Sequence, residues 1–428
     1  METRRVVITG LGVISPVGLN VPTAWENLIS GKSGITHVSK MPPDLKTALG
    51  IPEGTVPDIN PEVKIFGFVQ GFDPENYMGR KEARRMDRFA QFAVAAAGEA
   101  IRDAGLEDLL RDNTTLRQET GAIIGTGNGG QITNEEQHKI LLERGAGRVN
   151  VFAVPKIMLN AGSSNVALTY GLQGPGSPPV SACASGLDSI IIAYKAVRDR
   201  DATIMLAGGS EATITPTVVA GFANMKALTK DYNHAPEESS RPFDLRRSGF
   251  VLSEGATVLV LEDLEYALKR GAVIYAEIVG YCQNNDAKHI TNPDLDNQAL
   301  AIKKALHRAD IRPEQVDYIN AHGTSSWRND KAETAAIKEA LGAHAYKTLI
   351  SSTKSMTGHL IGAAGALEAA ICNLVIRHGI VPPTINLKDP DLENGCDLNY
   401  VANTAVKKII DVVVKDSFGF GGHNAVLV

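Results

Sequence analysis

The chain has little cysteine: four in 428 residues (Cys183, Cys282, Cys372 and Cys396), no two of them in a C-x-x-C pair. That excludes a disulfide framework and leaves a structural zinc site without its usual ligand spacing. No apolar run approaches the ~18 residues of a membrane span. There is no excess of positive charge. The 43 basic and 48 acidic residues give a net charge of -5, so nothing provides a basic footprint for nucleic acid. Low-complexity tracts are absent too. What is present is ordinary globular composition, 43% hydrophobic and 21% charged, which argues against disorder. The length suits two or three domains of ~150 residues, or one large α/β unit. Met1–Arg5 run straight into the apolar Val6–Thr9, with no signal core and no Arg/Ser-rich presequence. A soluble cytoplasmic protein is therefore expected.

Short β-rich runs alternate with helical patterns. Strands are expected at Val6–Thr9, Thr120–Ile124, Thr203–Ala207, Ala256–Leu261, Ile274–Tyr281, Tyr318–Ala321, Thr348–Ser351 and Val412–Ser417. Helices are expected at Lys81–Asp103, Ser185–Arg198, Ala299–Ala309, Lys331–Leu341 and Ala363–His378. This alternation argues for an α/β fold whose sheets are covered on both faces. Two segments share a layout. Pro178–Gly186 leads into Leu187–Val197; Leu349–Lys354, with Gly358-His359 and Gly362–Ala366, leads into Leu367–Ile376. Each reads as a strand, a polar turn and a helix opening on small residues. An internal duplication is expected, with halves at 1–268 and 269–428. Residues 38–64 hold five prolines and read as a surface excursion.

Two glycine patterns follow strands: Gly10-Leu11-Gly12 and Gly125-Thr126-Gly127-Asn128-Gly129-Gly130. Neither leads to a strand ending in an acid at dinucleotide spacing, so tight turns are favoured over cofactor loops. Cys183 lies between a strand pattern and an apolar helix. A helix start favours a thiolate and offers N–H groups to an oxyanion. His322, in Asn320–Ser326, and His359, in Lys354–His359, sit at strand ends, where α/β sheets place their ligands. Cys183 alone reads as readily as a buried inert cysteine and a lone strand-end histidine as structural; two such histidines with a lysine and a helix-start cysteine shift the reading towards a site. No histidine spacing calls for a metal. Ser417-Phe418-Gly419-Phe420-Gly421-Gly422 reads as a turn able to bring backbone N–H groups against a ligand, or as a hairpin with buried phenylalanines. His423 reads as structural.

Ala182–Gly186, Asn320–Ser326, Ser352–His359 and Ser417–Gly422 resemble the signature blocks of β-ketoacyl-[acyl-carrier-protein] synthases. Lys81–Phe89 and Arg241–Asp244 are similar to that family as well. The likeness runs in order along nearly the whole chain and is nearest to the type II condensing enzymes of dissociated fatty-acid synthesis. It implies a thiolase-like fold of two pseudo-duplicated halves layered α/β/α/β/α, a homodimer and a cytoplasmic role in lipid synthesis. It also implies decarboxylative Claisen condensation. Cys183 would take an acyl chain from the phosphopantetheine arm of acyl carrier protein, with no separate cofactor and no metal. His322 and His359 would hold the malonyl thioester oxygen, and Lys354, partnered by Glu368, would orient and polarise His359. The N–H groups of Cys183 and Phe420 would form the oxyanion hole. Phe420 would gate the acyl pocket with Gly419 and Gly421 as hinges. Thr324, Ser326 and Thr291 would line the pantetheine tunnel, with Phe418 at the substrate and Asn128 at the pocket floor.

The chain departs from the family at Ser185, where Thr is usual, and at Asp188, where His or Asn is usual. It departs again at Trp327-Arg328-Asn329, in place of Pro-x-Gly, and at Asn128, in place of an apolar residue. Residues 41–62 look longer than the family norm. These departures keep open a polyketide or specialised-lipid ketosynthase of the same chemistry. A non-catalytic chain-length-factor-like subunit is disfavoured, because the nucleophile, both histidines and the lysine are present. The basic run Arg80, Lys81, Arg84, Arg85 and Arg88 stands out, without assigning a docking surface for carrier protein.

Overall fold

The computed structural model describes residues 3–428. One five-stranded sheet is built from β1 (Val6–Ile14), β2 (Thr120–Gly125), β3 (Ile204–Glu211), β4 (Gly255–Asp263) and β5 (Ala276–Ile278), in the order β2-β3-β4-β1-β5. A second is built from β6 (Tyr281–Asn285), β7 (Tyr318–Asn320), β8 (Leu349–Ser351), β9 (Val413–Gly419) and β10 (His423–Leu427), in the order β8-β7-β9-β10-β6.

The two sheets repeat one plan. β2 runs parallel to β3, and β7 runs parallel to β9. β3, β4 and β1 are successively antiparallel, as are β9, β10 and β6. β8 lies parallel outside β7. Its counterpart outside β2 is Gly174-Pro175, where the Gly174 N–H donates to Thr120 O and Pro175 O accepts from the Ala122 N–H. The duplicated layout read from two short segments is therefore present in the topology of both sheets.

Helices fill the spaces between and outside the sheets. α1 (Arg88–Asp103) and α2 (Ala161–Tyr170) cover the outer face of the first sheet. α3 (Ser185–Arg198) lies between the sheets. α4 (Leu295–Ala309) and α5 (Trp327–Leu341) cover the outside of the second, and α6 (Ala364–His378) packs on α3 in the middle layer. Alternation along the strands explains why both faces are apolar. Leu206, Val258 and Val260 join the core under α1, while Met205, Ala207, Leu259 and Leu261 join the core around α3 and α6. Gly10 and Gly12 are close-approach positions. A Cβ on Gly12 would lie 1.9 Å from Ala96 O, and one on Gly10 would lie 2.4 Å from Ala100 O, so this glycine pair seats α1 on β1.

Four expectations change. Pro178–Ser181 forms no strand; two consecutive prolines offer no N–H to a ladder. The run Ile274–Tyr281 splits at Val279-Gly280, giving β5 to one sheet and β6 to the other. The helix expected from Lys81 breaks into a short turn at Arg80–Ala83 and α1, whose N-cap Asp87 accepts from the Phe89 N–H. The proline-rich excursion is anchored, since Val38, Met41, Leu45, Ile59 and Val63 are buried in the core. No helix among the described residues is long and apolar enough to cross a membrane.

Candidate active site

Cys183 sits in a single 3-10 turn, Ala182–Ala184, directly ahead of α3. Ala182 takes a left-handed conformation (φ 51°), which costs of order 1–3 kcal/mol in a residue with a side chain. The strained elbow turns the sulfur toward the second half of the molecule. There His359 Nε2 stands 3.1 Å from Cys183 Sγ. His359 Nδ1 accepts from the Ile361 N–H at 3.2 Å, which leaves the proton on Nε2, facing the sulfur. Its backbone is clamped to the first half: the His359 N–H donates to Val251 O at 2.8 Å, and the Ser253 N–H donates to His359 O at 3.0 Å.

His322 follows β7. Its N–H is shared by Glu333 Oε1 at 2.6 Å and Asp416 Oδ1 at 2.8 Å. The two imidazoles meet edge to face, with centroids 5.4 Å apart. Lys354 Nζ lies 3.5 Å from His322 Nδ1 and is ion-paired with Glu368. A lysine donating to Nδ1 puts the His322 proton on Nε2. Lys354 thus touches His322 rather than His359, on which it acts through charge. Lys415, not singled out from the sequence, takes the other oxygen of Glu368 at 2.9 Å and donates to Asn320 O at 3.3 Å.

Burial sets the protonation of this cluster. It pushes both imidazoles well below their ordinary range, and the neighbouring Lys354 pushes them further the same way, so both are neutral donors. Burial also lowers Lys354, against the pull of Glu368. On Lys415 burial is outweighed by Glu368 and Asp416, and its affinity for the proton rises. Burial raises Glu333 well above the carboxylate range, reinforced by the charge of Asp416. The Cys183 thiol is pushed up to about 12 by burial; the charge of Lys354 and the N–H of Phe420 pull the other way. The helix start therefore does not make this sulfur a resting thiolate.

The sulfur and both rings open onto a cavity of about 380 Å³. Phe222, Phe250, Ile361, Phe418 and Phe420 give it apolar walls, and Thr291, Thr324 and Ser326 line it as well. Thr324 Oγ1 and Ser326 Oγ are 2.8 Å apart. The exposed Lys226, Trp327 and Arg328 also line it. Gly419 is a close-approach position; a Cβ there would lie 2.7 Å from Ser181 O and 3.2 Å from Cys183 N. Asn128 and Gly421 are not among the lining residues. Sγ and one nitrogen of each ring all lie within 4.8 Å of one another, close enough to ligate a thiophilic metal ion. Arg88 leaves the basic run. It is buried, with Nη2 2.8 Å from Glu254 Oε1.

The second glycine pattern has an internal ligand. The N–H groups of Gly127 and Asn128 and the hydroxyl of Thr126 donate to the carboxylate of Glu211 at 2.7, 3.2 and 3.1 Å. Gly362 of the second half adds its N–H at 3.0 Å. Glu211 is fully buried, and burial raises it to about 7. The loop cradles a carboxylate of its own chain, much as such loops elsewhere cradle phosphate. A charged residue ending an apolar strand, Gly208-Gly209-Ser210-Glu211, was the signal that could have located it.

A buried thiol beside an imidazole pair, inside a duplicated five-layer fold, fits a condensing enzyme of the thiolase-like class. The chain belongs to the β-ketoacyl synthase family: the beta-ketoacyl synthase N-terminal domain matches residues 3–267 and the C-terminal domain residues 275–388. It is 45% identical, over 100% of its length and 98% of the relative's, to the 3-oxoacyl-[acyl-carrier-protein] synthase 2 of Synechocystis sp.. The same identity holds to that of Coxiella burnetii, over 99% of the relative. Among solved structures, a beta-ketoacyl synthase from Burkholderia phymatum superposes with a TM-score of 0.88 at 33% identity, covering 99% of this chain and 98% of that one. A type II PKS ketosynthase in complex with its acyl-carrier protein gives 0.86 at 34%, covering 100% and 98%.

Proposed function

We propose that this enzyme elongates an acyl chain by two carbons in fatty-acid synthesis, condensing it with malonyl-acyl carrier protein. The 3.1 Å contact between His359 Nε2 and Cys183 Sγ, made across the two halves, carries the reading. Cys183 would attack an acyl thioester of the phosphopantetheine arm. The acyl carbon–sulfur bond of the arm breaks, and the arm leaves as a thiol with the cysteine's proton. Malonyl thioester then loses CO2, and its enolate oxygen is held by the Nε2–H of His322 and of His359. The enolate carbon attacks the acyl-Cys183 carbonyl. The resulting oxyanion would be held by the N–H groups of Cys183 and Phe420. Collapse gives the 3-oxoacyl thioester and frees Cys183, which is reprotonated. Phe420 would gate the pocket, Thr324, Ser326 and Thr291 would guide the arm, and Lys226 and Arg328 give its mouth positive charge for an acidic carrier.

The identity to fatty-acid relatives, 45%, against 34% to the polyketide ketosynthase, favours this reading over the polyketide one. The nucleophile half would span 1–268 and the imidazole half 269–428. A homodimer fits the apolar side chains exposed between residues 142 and 168, among them Leu142, Val151, Val154 and Leu168. No cofactor beyond the carrier's arm is required, and the cytoplasm is the expected compartment. Cys183→Ala should abolish condensation of acyl and malonyl carrier proteins while leaving the fold intact by circular dichroism. Normal condensation by that variant would sink the mechanism.

A further inference from the structure

Asp188 lies one turn into α3, behind the nucleophile, and none of the steps above uses it. It is 8% exposed, and each carboxylate oxygen has one donor. Oδ2 accepts from Ser181 Oγ at 2.5 Å, and Oδ1 accepts from Gln283 Nε2 at 2.7 Å. Ser181 leads directly into the elbow, whereas Gln283 is on β6, in the other sheet. Gln283 Oε1 accepts in turn from Lys195 Nζ at 2.6 Å.

The strained Ala182 explains why such a brace is needed. A non-glycine residue stays left-handed only where its surroundings over-determine it. Ser181 is fixed three ways: its N–H donates to Ser185 Oγ at 2.9 Å, its hydroxyl donates to Asp188, and its O accepts from the Ala184 N–H at 3.0 Å. Gly419, next to Phe420, passes against that same Ser181 O. The placement of Ser181 thus sets both the aim of the Cys183 N–H and the seat of the strand that leads to Phe420.

We infer that Asp188 is a positioning residue for acyl transfer, pinning the nucleophile turn to the second sheet through Ser181 on one side and Gln283 on the other. This rests on the proposed loading of Cys183. The turn's alignment matters to loading, whereas release of CO2 depends on the imidazole pair.

The two steps separate in the full-length enzyme. Acylation of Cys183 by an acyl-carrier-protein thioester is followed in a single turnover by intact-mass spectrometry. CO2 release is followed from malonyl carrier protein. Asp188→Ala and Ser181→Ala should each slow acylation by about tenfold or more, with CO2 release held within about twofold. Asp188→Asn keeps an acceptor for Ser181 and should restore most of the acylation rate. Wild-type acylation in Asp188→Ala, or loss of both steps in equal proportion, overturns the role. If Asp188→Ala does not fold, Ser181→Ala decides by the same two readouts. A wild-type enzyme that takes up no acyl group overturns the functional reading itself, and this role with it.

Discussion

Glu368 stands between two lysines, and the three are not equivalent. Lys354 holds Oε1, Lys415 Nζ is 2.9 Å from Oε2, and each of the three is no more than 2% exposed. Removing one partner of a buried ion pair typically costs about 3–5 kcal/mol, because a charge is left uncompensated. Lys354→Met strands no charge, since Glu368 keeps Lys415, although the buried His322 Nδ1 loses its donor. What is lost is a charge-assisted hydrogen bond, about 1.5–3 kcal/mol. Glu368→Ala leaves two buried ammonium groups. Lys415 still has Asp416 and the carbonyl of Asn320, but Lys354 keeps only His322 Nδ1. That substitution should reach the full 3–5 kcal/mol. Lys354→Met/Glu368→Gln removes one cation and the anion together, and should be more stable than Glu368→Ala alone. Urea unfolding measures all three, with an unchanged m-value marking a true stability effect. If Lys354→Met proves as costly as Glu368→Ala, the shared-carboxylate account is refuted.

Two further outcomes follow from the same physics. Glu211 is raised from 4.5 to about 7 in the folded state, so the native chain binds the extra proton between those values. Stability contributed by this group is present below pH ~4.5 and falls as pH rises through ~7, by about 3 kcal/mol in all. Wild type and Glu211→Gln should therefore show denaturation midpoints that diverge between pH 5 and 8; parallel curves would refute the assignment. Gly419→Ala puts a methyl 2.7 Å from Ser181 O and should cut acyl loading by about tenfold or more while Phe420 remains in place. Unimpaired loading would show that the close approach is not functional.

Much of this site was legible because catalysis here uses short contiguous blocks. Ala182–Gly186 and Ser352–His359 are each contiguous and lie at or just before the start of a helix, and both helices appear where the apolar pattern puts them. What escaped was chemistry assembled across distant segments. Lys415 follows Val412-Val413-Val414 inside the expected strand Val412–Ser417, where nothing marks it as part of the site, yet it is 2% exposed because Glu368 comes to it from α6. The glycine loop at 125–130 shows donors in the sequence but not their acceptor, which arrives at the end of β3. The strand assigned before Cys183 failed because Gly174-Pro175, rather than the Pro178-Pro179 run, provides the edge pairing. The thiolate assigned to Cys183 followed from its place at a helix start, whereas the desolvation that overrides the helix depends on what closes over the sulfur.

The duplication explains how two ordinary turns become one reactive centre. Each half supplies the same unit, a polar turn followed by a helix that opens on small residues, and the two helices, α3 and α6, lie side by side between the sheets. Gly186 at the start of α3 is so near the other half that a Cβ there would fall 2.7 Å from Gly362 O. Gly362 in turn gives its N–H to Glu211, and the preceding Ile361 gives its own to His359 Nδ1. The closeness of α3 and α6, set by glycines where a side chain would act as a wedge, thereby fixes the reach from imidazole to sulfur. A fold with one copy of the unit would have either the thiol or the imidazoles. Two copies crossing at their helix starts have both, and burial at the crossing keeps the imidazoles neutral and able to donate.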